Sequence, residues 1–273
     1  MPDNQATPDP QAPGSPKVLF RQDDGIARIT LNRPRQLNAL DAEAIHALAA
    51  AIEDACNDTR TRVVLIEGTG KAFCVGGDIN LFSRAIDDLP SLLESLLQPL
   101  HAAIARLAAS GLPIVSAVNG PVGGGGIGLA LCADYVLAAQ SMALRCGYSA
   151  IGLTPDAGSA RFLTLRAGVV RAKQLFYLNE MLDAPACLAL GIVDAVHPDE
   201  ELAAAAQALA RRLQAGPREP LARIKMLIET TGDRSLPEHL AAERECMVAS
   251  SGEPDAREGI TAFTEKRTAR FGP

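Results

Sequence analysis

Over roughly the first half of the chain, apolar residues gather in short β-rich runs broken by turn residues; beyond that they recur at helical spacing. Val18 to Phe20 and Gly25 to Leu31 read as strands joined through Asp23-Asp24-Gly25, the composition of a tight hairpin. Asp41 precedes Ile45, Leu48 and Ile52, which share one helical face, so it reads as the cap of that helix. Val63 to Glu67 is a strand ending in Gly68-Thr69-Gly70. A helix over 91–109, a strand over Pro113 to Val118, a helix over Ile127 to Cys132 and a strand over Tyr135 to Ala138 follow. Strands alternating with helices predict an α/β domain.

Past about residue 159 the strand signals fade. Helices are expected over 171–179, 184–190, 199–214, 218–230, 236–249 and 254–268, separated by Gly and Pro. Leu221, Ile224, Leu227 and Ile228 make an apolar face that would cover the α/β core or a neighbouring subunit. At the other end, residues 1–16 contain five prolines and little that could pack, the composition of a disordered tail. The expected organisation is a tail over 1–16, an α/β core over 17–198 and a helical region over 199–273.

Composition narrows the possible functions. The 273 residues, 48% of them apolar, suffice for a sizeable core. A formal net charge of -6 disfavours nucleic acid or an anionic membrane as partner. The cysteines at 56, 74, 132, 146, 187 and 246 form no C-x-x-C pair and lie at no metal-ligand spacing to histidine, so they read as thiols in a reducing compartment and no metal is implied. No apolar run reaches transmembrane length and no signal segment opens the chain, which predicts a cytoplasmic protein.

Two glycine-rich segments carry the candidate chemistry. Phe73-Cys74-Val75-Gly76-Gly77-Asp78-Ile79 and Asn119-Gly120-Pro121-Val122-Gly123-Gly124-Gly125-Gly126-Ile127-Gly128 each follow a β-rich run and lead toward a helix. Glycine lets main-chain N–H groups approach a ligand closely, so the pair predicts two anion-binding loops able to stabilise an oxyanion between them. The second segment also satisfies G-x-G-x-x-G, but the acidic residue that a dinucleotide site needs about twenty positions on is missing from Met142 to Ser149. No G-x-S-x-G elbow supports a serine hydrolase.

These loops, together with Leu31 to Leu40, Ile151 to Gly158, Ala189 to Asp194 and Phe263 to Arg267, stand in an order that resembles the enoyl-CoA hydratase/isomerase, or crotonase, family over residues 17–271. The resemblance implies an α/β fold, a spiral of β-β-α units with a helical C-terminal trimerisation region. It also implies an acyl-CoA thioester substrate, with coenzyme A entering only as part of that substrate, and a homotrimer or dimer of trimers. It assigns the oxyanion donors to the amides of Gly77 and Gly125. Arg35, Gln36 and Leu37 would flank the CoA nucleotide, Val75, Asp78 and Ile79 would line the adenine and pantetheine path, and Lys266 and Phe263 would reach CoA from the C-terminal helix, across a subunit boundary.

Hydratases of the family hold water with two glutamates, and the matching positions here are Gly128 and Tyr148. Simple hydration should therefore be weak or absent. Asp156 stands where some isomerases of the family, and a dehalogenase, carry a catalytic aspartate. One carboxylate that removes a proton from one carbon and returns it two carbons away suffices for a double-bond shift, so isomerisation is the expected reaction. Hydration by atypical residues and a catalytically inactive acyl-CoA-binding scaffold are the alternatives.

Each residue also has a structural reading. Asp156, shortly before a helix, would serve equally as a cap, and Tyr148 as a pocket wall. Asp78 and Asp134 read as structural. His46, His101, His197 and His239 lie away from both loops in sequence, and Arg145 and Arg161 only flank the region.

Overall fold

The computed structural model describes residues 15–272, so positions 1–14 of the expected tail lie outside it. Strands β1 (Val18–Asp23) and β2 (Ile26–Leu31) form the antiparallel hairpin. Its two-residue turn has Asp24 at φ 45° and Gly25 at φ 76°, the positive-φ pair that fits the twist of a tight hairpin. Helix α1 (Ala42–Asn57) follows, with the Asp41 side chain accepting from the Ala44 amide at 2.9 Å and Ile45, Leu48 and Ile52 buried.

Strand β3 (Val63–Gly68) leads through the first glycine loop into α2 (Ile79–Arg84) and α3 (Leu89–Ala108). Strands β4 (Ile114–Val118) and β5 (Val122–Gly123), helix α4 (Gly125–Leu131), and strands β6 (Tyr135–Ala139) and β7 (Ala143–Arg145) come next. Then follow α5 (Ser159–Ala167), α6 (Val169–Leu178), β8 (Leu182–Asp183), α7 (Ala184–Ala189) and β9 (Ala195–His197). Helices α8 (Leu202–Gln214), α9 (Arg218–Glu229), α10 (Leu236–Ser251) and α11 (Pro254–Thr264) complete the described chain.

The main sheet runs β1-β2-β3-β4-β6-β9, parallel from β2 onward, and a small second sheet runs β5-β7-β8. A parallel strand is buried on both faces, which accounts for the unbroken apolar starts of β3 and β4. Ile29, Val64 and Ile66 pack toward α1 and α3. Val63, Leu65 and Val115 face the other way, against Leu202, Ala206 and Ala210 of α8. Helix α8, expected within the separate C-terminal region, is thus a layer of the core, because the alternation of β3 leaves a second apolar face to cover.

The stretch after residue 159 is not wholly helical, since β8 and β9 complete the two sheets. Neither they nor β5 and β7 are long enough to show an alternation. The apolar face expected on α9 is not buried within the chain: Ile224 and Ile228 stay exposed, and α9 buries Lys225 instead. The Lys225 ammonium donates to the Leu112 carbonyl and to Asp134, each at 3.0 Å, and Asp134 also accepts from the Ile114 amide, so Asp134 is a structural tie.

Candidate active site

The first glycine loop is held by Leu40. Its amide donates to the Gly76 carbonyl at 2.8 Å and its carbonyl accepts from the Asp78 amide at 3.0 Å. In a parallel bridge these two bonds flank Gly77 and turn its own N–H to the opposite side. The second loop is laced to the first through Gly123 N to Cys74 O at 3.0 Å and Phe73 N to Pro121 O at 3.1 Å. Gly76, at φ 94°, passes so close that an added methyl group would lie 3.2 Å from the Gly125 nitrogen. Gly125 is the first residue of α4, and the amides of a first helical turn have no partner within the helix. Gly77 and Gly125 line one cavity of about 320 Å³, walled by Val75, Ile79, Phe82, Leu93, Leu97 and Tyr148.

The remaining glycines of the second loop are explained by contacts within the chain. A methyl group on Gly126 would lie 2.3 Å from the Cys74 carbonyl, and one on Gly128 would lie 1.9 Å from the Ala157 carbonyl. Close packing of loop on loop accounts for the G-x-G-x-x-G spacing without a dinucleotide. It also closes position 128 to any side chain. We expect Gly128→Glu to cost about 3 kcal/mol or more of stability and to confer no addition of water to crotonyl-CoA, as thermal unfolding and loss of enoyl absorbance would report.

Asp156 borders the same cavity and is half-buried. A methyl group on Gly125 would sit 3.0 Å from its Oδ1, which places the carboxylate beside the second loop. The Tyr148 hydroxyl donates to that oxygen at 2.5 Å. Asp156 does not cap α5: the N-cap is Gly158, with no side-chain bond, and only the main-chain carbonyl of Asp156 accepts from Ser159. Burial, and after it the neighbouring Asp156 charge, push the Tyr148 phenol far above its usual range, so it stays a neutral donor. Burial likewise pushes the thiols of Cys146 and Cys74 up to about 11 and about 12, which leaves both protonated and poorly nucleophilic.

The sequence reading set all four histidines apart from the site, and His101 corrects it. His101 lines the cavity, and its Nε2 accepts from the Ala157 amide at 3.0 Å. That bond fixes the residue following Asp156 in a left-handed conformation, φ 51°, unusual for alanine. The available signal was helical spacing, since Leu93, Leu97 and His101 fall on one face of α3.

The other expected residues divide into two groups. Asp78 caps α2 through the Asn80 amide at 3.1 Å and pairs with Arg33 at 3.2 Å, a structural position. Arg35 and Gln36 lie in an exposed 3-10 turn, and the Leu37 carbonyl accepts from Val75 at 3.3 Å, so this segment adjoins the first loop. Ile79 stands half-exposed at the cavity rim. Phe263 and Lys266 do not line the cavity, and Phe263 is 85% exposed. The Gly272 carbonyl accepts from Arg62 just before β3, which ties the C-terminal segment to the edge where the strands begin, whereas the glycine loops follow strand ends. Arg145 donates to the Asn179 carbonyl, a structural bond.

Along nearly its whole length the chain is similar to known proteins. Residues 21–273 match the family model described as enoyl-CoA hydratase/isomerase. The chain is 35% identical over 260 residues to 1,2-epoxyphenylacetyl-CoA isomerase of Escherichia coli (strain K12), covering 93% of this chain and 97% of that protein. It is 32% identical over 259 residues to trans-2-decenoyl-(acyl-carrier-protein) isomerase of Streptococcus mutans, with the same coverages. A solved enoyl-CoA hydratase from Polaromonas sp. JS666 superposes with a TM-score of 0.88 at 30% identity, over 93% of this chain and 99% of that one. Among the described residues no helix is long and apolar enough to cross a membrane. With its crotonase-like α/β fold, the chain belongs to the enoyl-CoA hydratase/isomerase family.

Proposed function

We propose that the protein is an acyl-CoA isomerase that shifts a double bond through a thioester enolate. One observation carries the reading: the Asp156 carboxylate lies against Gly125 in the cavity that Gly77 also lines, while position 128 admits no side chain and position 148 is a tyrosine. A thioester oxygen that accepts from the Gly77 and Gly125 amides gains most as charge builds on it, which acidifies the neighbouring C–H. Asp156 takes that proton, the electron pair moves into the dienolate, and the same proton returns two carbons away. The step conserves electrons, so it calls for no metal or redox group. Hydration needs two groups to hold and activate water, and Asp156 is the single carboxylate lining this cavity among the described residues.

Phe82, Leu93 and Leu97 would surround the acyl chain. Arg35 to Leu37, Val75 and Ile79 would guide CoA to the cavity. Phe263 and Lys266 would reach CoA from a neighbouring subunit of a homotrimer, to which the exposed apolar residues of α9 to α11 would also contribute. The free cysteines fit a cytoplasmic setting.

The test offers 3-enoyl-CoA and 2-enoyl-CoA thioesters and follows the absorbance of the conjugated thioester. The reading predicts a rise from the 3-enoyl substrate and no loss from crotonyl-CoA. Faster hydration than isomerisation would restore the hydratase reading, and CoA binding without turnover on a broad thioester panel would make the protein a scaffold.

A further inference from the structure

We propose that Tyr148 is a positioning residue whose hydroxyl, tied to the second glycine loop through Ser159, holds the Asp156 carboxylate in its place beside Gly125. The inference rests on the isomerase reading and adds to it a physical coupling between the base and the loop that supplies an oxyanion donor.

The hydrogen-bond inventory fixes the direction of the chain. Ser159 Oγ accepts from the Gly128 amide and donates to the Gly124 carbonyl, both at 3.1 Å, and lies 3.2 Å from the Tyr148 hydroxyl. An ionised carboxylate only accepts, so the single proton of Tyr148 is directed to Asp156 Oδ1, and the single proton of Ser159 is shared between the Gly124 carbonyl and the Tyr148 oxygen. Oδ2 is left to receive the substrate proton. The ring is held against Phe176, with centroids 6.1 Å apart, so the hydroxyl has a fixed place. When Ser159 donates to Tyr148, the chain runs from the Gly128 amide through two hydroxyls to Asp156.

Asp156 is faced by Tyr148 from the turn before α5, by His101 of α3 through the Ala157 amide, by Gly125 at the start of α4 and by the Cys74 thiol of the first loop. Among the described residues no lysine or arginine lines this cavity, and Tyr148 supplies the side-chain hydrogen bond to Asp156.

Tyr148→Phe keeps the ring and removes the donor. It is expected to lower kcat by about ten- to a hundredfold with KM changed less than about threefold, because the carboxylate loses its fixed place and not the substrate its cavity. A second readout needs no substrate: the ¹³C carboxyl resonance that disappears in Asp156→Asn should shift and broaden in Tyr148→Phe, as a carboxylate freed from its donor leaves a single fixed orientation. A third keeps the hydroxyl. With the exposed Tyr135 and Tyr177 replaced by Phe, fluorinated tyrosine at 148 retains the bond, and its ¹⁹F resonance should move when Asp156 is replaced by Asn. An unchanged carboxyl resonance in Tyr148→Phe, or a kcat within about threefold of the parent, would overturn the proposal even if Asp156→Asn abolishes isomerisation. An active Asp156→Asn would instead overturn the isomerase reading, while the carboxyl resonance of Tyr148→Phe would still show whether the hydroxyl holds Asp156.

Discussion

Asp156→Asn is expected to lower kcat/KM for double-bond shift by roughly a hundred- to ten-thousandfold while leaving CoA affinity unchanged. Asparagine has nearly the same shape, and its side-chain oxygen can still accept from Tyr148, so the turn before α5 and the cavity wall persist. Basicity is what disappears. Since Asp156 neither caps α5 nor pairs with a cation among the described residues, little structural loss accompanies the change. Initial rates with 3-enoyl-CoA, set beside direct titration of CoA, separate chemistry from binding. Near-normal turnover would remove Asp156 from the mechanism.

The second large effect concerns the main chain. Gly125→Pro should be about a hundred- to a thousandfold less active than Gly125→Ala, although both variants carry the same Cβ, 3.0 Å from Asp156 Oδ1. Proline at the first helical position is conformationally acceptable and forfeits only an amide that α4 does not use. The alanine variant therefore serves as the Cβ control, and the ratio of the two rates reports the N–H together with the ring methylene that replaces it. Equal rates in two folded variants would show that the Gly125 amide does not face the thioester.

Much of the scaffold was legible because local physics and tertiary demand agree there. The Asp24-Gly25 turn, the Asp41 cap and the apolar runs of β3 and β4 form what their residues favour. Strands of two or three residues, such as β5, β8 and β9, carry no periodicity; they exist because the sheet edges offer partners. Helix α8 was legible as a helix of the C-terminal region, but nothing local reports which sheet face lacks cover. Within the site, the glycine runs were conspicuous, while His101 was masked by a strongly helical context and gains meaning only from the Ala157 amide it accepts. The closed space at Gly128 was equally invisible, set by a carbonyl 29 positions away.

The most direct measurement is a crystal structure of Asp156→Asn with a 3-enoyl-CoA bound. The account predicts the thioester oxygen within about 2.7–3.1 Å of both the Gly77 and Gly125 nitrogens, and the position-156 side chain about 3–3.5 Å from the α-carbon. A thioester oxygen beyond reach of either amide, or a position-156 side chain turned away from the α-carbon, would contradict it.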